Sequence, residues 1–255
     1  MGISRGVSGG AVLHPTLPTV ASVGAEFHAT GVPTATFPSD HILNDILILI
    51  LQWSNDSQVT APAGYSQVGP QNGIGAAAAV GSVKLGIFWK RDNGAESVPT
   101  IPDTGDHTYG VMLAIRGCPT SGDPFLTSSN TFKLATSTAA SGPASGSRLD
   151  SCLLLDIFGH GIDATGGQAS AQANTDLDSL TEQFDGSTTD STGGGIVVMS
   201  GTKATAGAIG ATTMTWASTT VEVCTRVRML PLDTTQTSSS PRPTQVQTFI
   251  GSVAN

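Results

Sequence analysis

The sequence predicts an all-β protein built from two similar halves. Three observations carry that expectation. A pattern of segments occurs twice, about 110 residues apart. Thr, Ser and Gly number 33, 27 and 31, together 91 of 255 residues, which suits many short strands joined by tight turns. No segment sustains a capped helical period. Strand should exceed about a third of the chain and helix should stay under about a tenth.

The first copy of the pattern opens with Asp45 and the apolar run Ile46 to Leu51. Ala61-Pro62-Ala63-Gly64-Tyr65, Lys84 to Lys90 and Tyr109 to Arg116 follow. The second copy has Asp150 to Phe158, Leu180 to Phe184, Gly195 to Met199 and Val221 to Met229. Each copy is an acid-led apolar strand, a short segment ending in an aromatic residue, an apolar strand and a closing strand.

Residues 1–33 read as an extended arm with one or two edge strands, because Pro15, Pro18 and Pro33 forbid a long helix. Residues 34–118 and 131–232 hold the two halves of one domain, and Pro119 to Asn130 reads as the loop between them. Asp176 to Gln183 allows one short helical turn. In the last strand Val221, Val223, Thr225, Val227 and Met229 alternate with Glu222, Cys224, Arg226 and Arg228, which predicts one wet face. Residues 233–255 form a polar tail carrying Val246, Phe249, Ile250 and Val253.

Strand 46–51 differs from the others because it is apolar on both faces. One face should meet the core. Three branched side chains on the other are worth roughly 5–9 kcal/mol when buried. The N-terminal arm, a long loop or another subunit should therefore cover it, which makes Ile48 and Leu49 candidate interface residues. Val246, Phe249, Ile250 and Val253 complete the candidate interface as a strap that docks on a neighbour.

Charge narrows the partners. The net charge is −8 and the pI about 4.8. The 11 basic residues are scattered, which argues against a nucleic-acid groove or an anionic membrane. Cys118, Cys152 and Cys224 lie far apart without Cys-x-x-Cys spacing, so buried thiols and a reducing compartment are expected. Met1 to Gly10 lacks the apolar core of a secretory signal, and Ile46 to Leu51 is too short to span a bilayer.

No motif for chemistry stands out. Gly73-Ile74-Gly75-Ala76-Ala77-Ala78 lacks the strand and helix that a dinucleotide loop needs. Asp103, Asp106 and His107 form the densest polar cluster. They read as a turn, with calcium on Asp103 and Asp106 as the functional alternative. Asp185 to Asp190 reads as a loop in the same way. The five histidines lack metal-ligand spacing, and no Gly-x-Ser-x-Gly elbow occurs. Trp53, Trp89 and Trp216 with Tyr65 and Tyr109 could stack on a sugar, but core packing is favoured. No cofactor and no catalytic residue is expected.

The repeated frame resembles a family of β-sandwich modules found in tailed-phage virion proteins and some bacterial surface proteins. The matching segments are Asp45 to Leu51, Ala61 to Tyr65, Phe88-Trp89-Lys90 and Leu113 to Gly117. In the second half they are Leu149 to Leu155, Leu180 to Phe184 and Val221 to Leu232. The resemblance spans residues 34–232 and neither terminal segment. It implies an antiparallel, jelly-roll-like sandwich in which both halves make one domain.

The resemblance also implies a non-enzymatic virion structural protein, assembled in the host cytoplasm. The favoured expectation is a homo-oligomeric capsid decoration or cement protein whose partners are its own copies and the major capsid protein. A tail, neck or fibre component is the nearest alternative. A glycan-binding adhesin or receptor-binding module follows, and a carbohydrate-active enzyme comes last.

Overall fold

The computed structural model describes residues 16–55, 57–74, 82–148, 151–205 and 207–232. About 55% of the chain is strand, and the described residues contain no helix. The strands are β1 (Thr19–Val23), β2 (Phe27–Ala29), β3 (Ile46–Trp53), β4 (Ser66–Gln67), β5 (Asn72–Ile74), β6 (Val83–Arg91), β7 (Thr108–Arg116) and β8 (Phe125–Ser141). They continue with β9 (Ser145–Arg148), β10 (Cys152–His160), β11 (Ala169–Ala173), β12 (Ser179–Thr188), β13 (Gly194–Lys203), β14 (Gly207–Ile209) and β15 (Thr213–Met229).

Each half makes one antiparallel sheet, and the two sheets pack face to face. Sheet one has seven strands in the order β1-β7-β3-β6-β4, with β2 also on β7 and β5 also on β6. Sheet two has six strands in the order β11-β15-β10-β13-β12, with β8 also on β15. β9 and β14 form a separate pair. The repeated pattern is now visible in space. β3, which Asp45 precedes, and β10, which carries Asp156, are the central strands; β7 and β15 close on one side of them, and β6 and β13 on the other. The chain passes between the sheets at residues 117–124, where Gly117 takes the left-handed φ of +89° that ends β7.

The strand period sorts the apolar residues into layers. Ile46, Ile48 and Ile50 of β3 meet Leu153, Leu155 and Ile157 of β10 in the core between the sheets. Val111, Leu113 and Ile115 of β7 and Val223, Val227 and Met229 of β15 complete it. Leu47, Leu49, Leu51 and Trp53 point the other way, into a second cluster on the outer face of sheet one. Phe27 from the N-terminal segment covers that cluster, together with Ala35, Phe37, Val59, Tyr65 and Ile101 from loops. A third cluster on the outer face of sheet two holds Phe158, Val197, Met199, Met214, Trp216 and Cys224.

Several expectations need correction. Ile48 and Leu49 are only 1% and 0% exposed, so both are consumed inside this chain rather than offered to a partner. The second face of β3 is covered as its apolarity demands, but the cover is intramolecular. The face of β15 expected to be wet is dry: Glu222, Cys224, Arg226 and Arg228 are all buried. Glu222 accepts the Trp216 indole N–H at 2.7 Å and the Ser141 N–H at 3.0 Å, Arg228 donates to Ser145 Oγ at 2.6 Å, and Arg226 pairs with Asp156 as described below.

The segment read as a loop to Asn130 becomes strand at Phe125, because β8 pairs along β15. Asp185 to Thr188 lies inside β12 rather than in a loop. Residues 175–178 form a turn, and the chain then enters β12 instead of a helical turn. The N-terminal segment supplies edge strands as expected, since β1 and β2 both pair with β7. Val246, Phe249, Ile250 and Val253 lie outside the described residues, as do residues 1–15 and Asp150.

Candidate functional site

The chemistry-bearing residues gather at one end of the sandwich, where β3 finishes and β7 and β13 begin. Asp106 and His107 precede β7, Ser54 follows β3, and Ser191 and Thr192 precede β13. The Asp106 carboxylate accepts a hydrogen bond from the Ser191 hydroxyl, and its Oδ2 lies 2.7 Å from Thr192 Oγ1. The same Oδ2 lies 2.8 Å from His107 Nδ1. Thr192 Oγ1 also lies 2.7 Å from Ser54 Oγ. Burial alone would raise the pKa of Asp106. Hydrogen bonds from Ser191, Thr192 and His107 outweigh it and hold the carboxyl below its ordinary range.

A second set of contacts continues the seam. His28 Nδ1 lies 2.6 Å from Asp190 Oδ2 and 3.3 Å from Thr188 Oγ1. The Tyr109 hydroxyl donates to Glu26, and a Cβ at Gly186 would strike both groups. Burial, then the Glu26 carboxylate, raises the Tyr109 phenol far above its usual range. Residue 28 of the N-terminal segment and residues 54 and 106 of the first half thus bond to second-half residues 188, 190, 191 and 192. The seam locks sheet to sheet.

Ser54, His107 and Asp106 have the residue types of a nucleophilic triad, and their geometry argues against that role. A relay needs the acid on one ring nitrogen and the hydroxyl on the other. Here Asp106 and Ser54 both face Nδ1, at 2.8 and 3.4 Å, while Nε2 faces Gln52 Oε1 at 3.1 Å. Ser54 and His107 are also sealed from solvent.

Asp103 does not join this set. Its Oδ1 accepts the Gly105 N–H at 2.8 Å, closing a turn in which Gly105 has φ of +86°. Among the described residues no three His, Cys, Asp or Glu side chains come together as a metal site. Asp185 accepts the N–H groups of Gln168 and Ala169, both at 2.9 Å. Burial raises its carboxyl and those two bonds partly offset the rise.

The aromatic residues do not form a platform. Trp53, Trp216 and Tyr109 are core residues, Tyr65 is buried, and Trp89 packs edge-on against Phe125. The three cysteines are free and buried, and desolvation raises Cys118 to about 12.

One Asp–Arg fork lies in each sheet. In sheet two Arg226 forks onto Asp156 with Nε–Oδ1 2.7 Å and Nη2–Oδ2 2.8 Å. Arg226 Nη1 donates to the carbonyls of Ile209 and Gly210 at 3.2 and 2.9 Å. In sheet one Arg116 forks onto Asp45 at 3.1 and 2.8 Å and donates to the Asp40 carbonyl. Each sheet therefore ties its central strand to its closing strand through one Asp–Arg fork. The signal was present: an acid in or beside each central strand and an Arg in each closing strand.

What the fold leaves exposed is different in kind. Phe132 and Leu134 on β8 are 58% and 71% exposed. Val32, Ile42, Leu43 and Val98 are exposed on loops. Comparison with protein-family models, with curated proteins and with solved structures finds no match.

Proposed function

We propose that this chain is a non-enzymatic structural protein of a tailed-phage particle, a capsid decoration module that assembles with its own copies and with the major capsid protein. The resemblance of residues 34–232 to repeated-half virion sandwiches supports the class. One structural observation carries the assembly reading. The polar candidates Asp103, Asp106, His107, Asp185 and Asp190 all serve turns, strand caps or the seam, whereas the longest strand edge presents large apolar side chains. Such a surface suits contact with other protein. Many symmetric copies would turn modest contacts into a tight lattice through avidity.

The test is the composition of particles purified from a phage that carries this gene. Quantitative mass spectrometry of separated heads and tails should find the chain in heads, at a fixed ratio to the major capsid protein. Recovery with tails alone would move it to a tail, neck or fibre role. Absence from particles refutes the proposal. Removing residues 237–255 should leave the sandwich folded and lower the amount loaded on particles. Unchanged loading and an unchanged particle melt would refute the role of Phe249 and Ile250 as a strap.

A further inference from the structure

We propose that β8 is a homotypic pairing edge, on which two copies of this chain join antiparallel about a two-fold axis at Phe132. The inference rests on the reading that the chain assembles through its sheet edges, and it names a second copy as the occupant of one of them.

The free edges of the two sheets are not alike. β1 and β11 have five residues each, β2 and β5 three and β4 two. β12 has ten, but its register breaks between Glu182 and Phe184 and it carries Glu182 and Asp185. Shortness, bulges and charges are the usual means by which an edge is kept from pairing. β8 has seventeen residues and, among the described residues, pairs only with β15; its register also shifts, between Leu126 and Ser129, Lys133 and Ser137, and Ser137 and Ala139, which leaves Ser129 to Lys133 as its continuous stretch. Among the described residues no strand pairs with the other side of that stretch, which therefore presents main-chain donors and acceptors.

The side chains point to the same use. The register of β8 on β15 is unbroken from Ser129 to Lys133, so this stretch is flat enough to template a further strand. Phe132 stands opposite Val223, a residue of the core between the sheets. It therefore projects toward sheet one at its margin, where the short β5 approaches β8. Leu134 lies one residue past the continuous stretch, where the register on β15 shifts, and is 71% exposed. A two-fold at Phe132 sets Phe132 against its own copy with each Leu134 close by. Four exposed apolar side chains then bury one another.

Charge selects a second copy over a foreign strand. The chain carries −8, so most of its surface repels another copy. From Pro124 to Arg148 there is no Asp or Glu, and within β8 the single charge is Lys133. Lys133 already donates to the carbonyl of Ala139 in its own strand. In the Phe132-centred register it faces Thr131 of the other copy and not its own equivalent. An interface of this kind is self-complementary, as a two-fold contact requires.

The test uses the full chain in sedimentation velocity from about 1 to about 500 µM, a range that spans weak dimers. A concentration-dependent dimer is expected. Phe132→Lys with Leu134→Lys should weaken it about tenfold or more, while the thermal melt taken at a concentration where the wild type is monomeric stays unchanged. Phe132→Cys should give a covalent dimer on mild oxidation. Thr136→Cys, which would face Ser128, should not. A monomer at every concentration overturns the proposal, as does a dimer of equal strength in the double-lysine variant. A lowered melt of that variant at the monomeric concentration also overturns it, since the face would then be covered by its own chain. A monomeric chain that is nonetheless present in particles refutes the edge pairing alone. A β8 dimer of a protein absent from particles refutes the virion reading alone.

Discussion

Replacing the Asp156–Arg226 pair one partner at a time and then together tests the energetic account of sheet two. Both residues are 1% exposed. Asp156→Val leaves a guanidinium buried with two carbonyls and the Thr212 hydroxyl but no counter-charge. Arg226→Met leaves a carboxylate with Thr212 as its remaining side-chain partner. Breaking a buried pair from one side costs about 3–5 kcal/mol, a large share of a total stability of about 5–15 kcal/mol. The double variant removes both charges. What remains is the loss of donors to the Ile209 and Gly210 carbonyls, about 1–3 kcal/mol for an unsatisfied group. The double variant should therefore be more stable than either single one, with a coupling energy above about 3 kcal/mol. Urea denaturation at pH 7 measures this, provided the m-value is unchanged. Single variants that each lose under about 1 kcal/mol, or losses that simply add, would refute the reasoning.

Three further outcomes follow from the same structure. His160 is fully buried, its Nδ1 accepts the Ile162 N–H, and burial depresses it to about 3. The unfolded chain takes up that proton near 6.5 and the folded chain near 3, so its contribution is complete above pH 6.5 and is lost as pH falls toward 3. Wild type should lose about 1.4 kcal/mol per pH unit more than His160→Gln across that window, and equal slopes in urea titrations would contradict it. Leu49→Asp places an unpartnered charge in the outer cluster of sheet one and should cost several kcal/mol in the isolated chain. A wild-type melt for that variant would show the face is wet. Gly194→Ala puts a Cβ 2.4 Å from Gln52 Nε2 at a backbone φ of +143°, and should cost about 1–3 kcal/mol. Gly146→Ala, which meets nothing within 4 Å, is the control, and equal melts for the two variants would refute the clash.

The sequence by itself determined the class of fold and the division into halves. Strand periodicity is local: Ile46, Ile48 and Ile50 must share one face and Leu47, Leu49 and Leu51 the other, whatever packs on them. The apolarity of both faces required two covers, and the repeated order of segments called for two similar halves on one core. Buried thiols followed from apolar neighbours at Cys118, Cys152 and Cys224.

Tertiary structure decided everything that depends on which distant residues meet. Alternation in β15 looked like a wet face because Glu222, Arg226 and Arg228 are charged. Only the arrival of Asp156 from the next strand, and of carbonyls from residues 209 and 210, lets Arg226 lie buried. The seam is illegible for the same reason. Asp106 and His107 gave a local turn signal, whereas Ser191 and Thr192 lie 85 and 86 residues away from Asp106. Edge status is also a property of the sheet and not of the strand. Phe125 to Ser141 has the composition of a loop and a weak strand together, and only its pairing with β15 leaves one side of it, with Phe132 and Leu134, open.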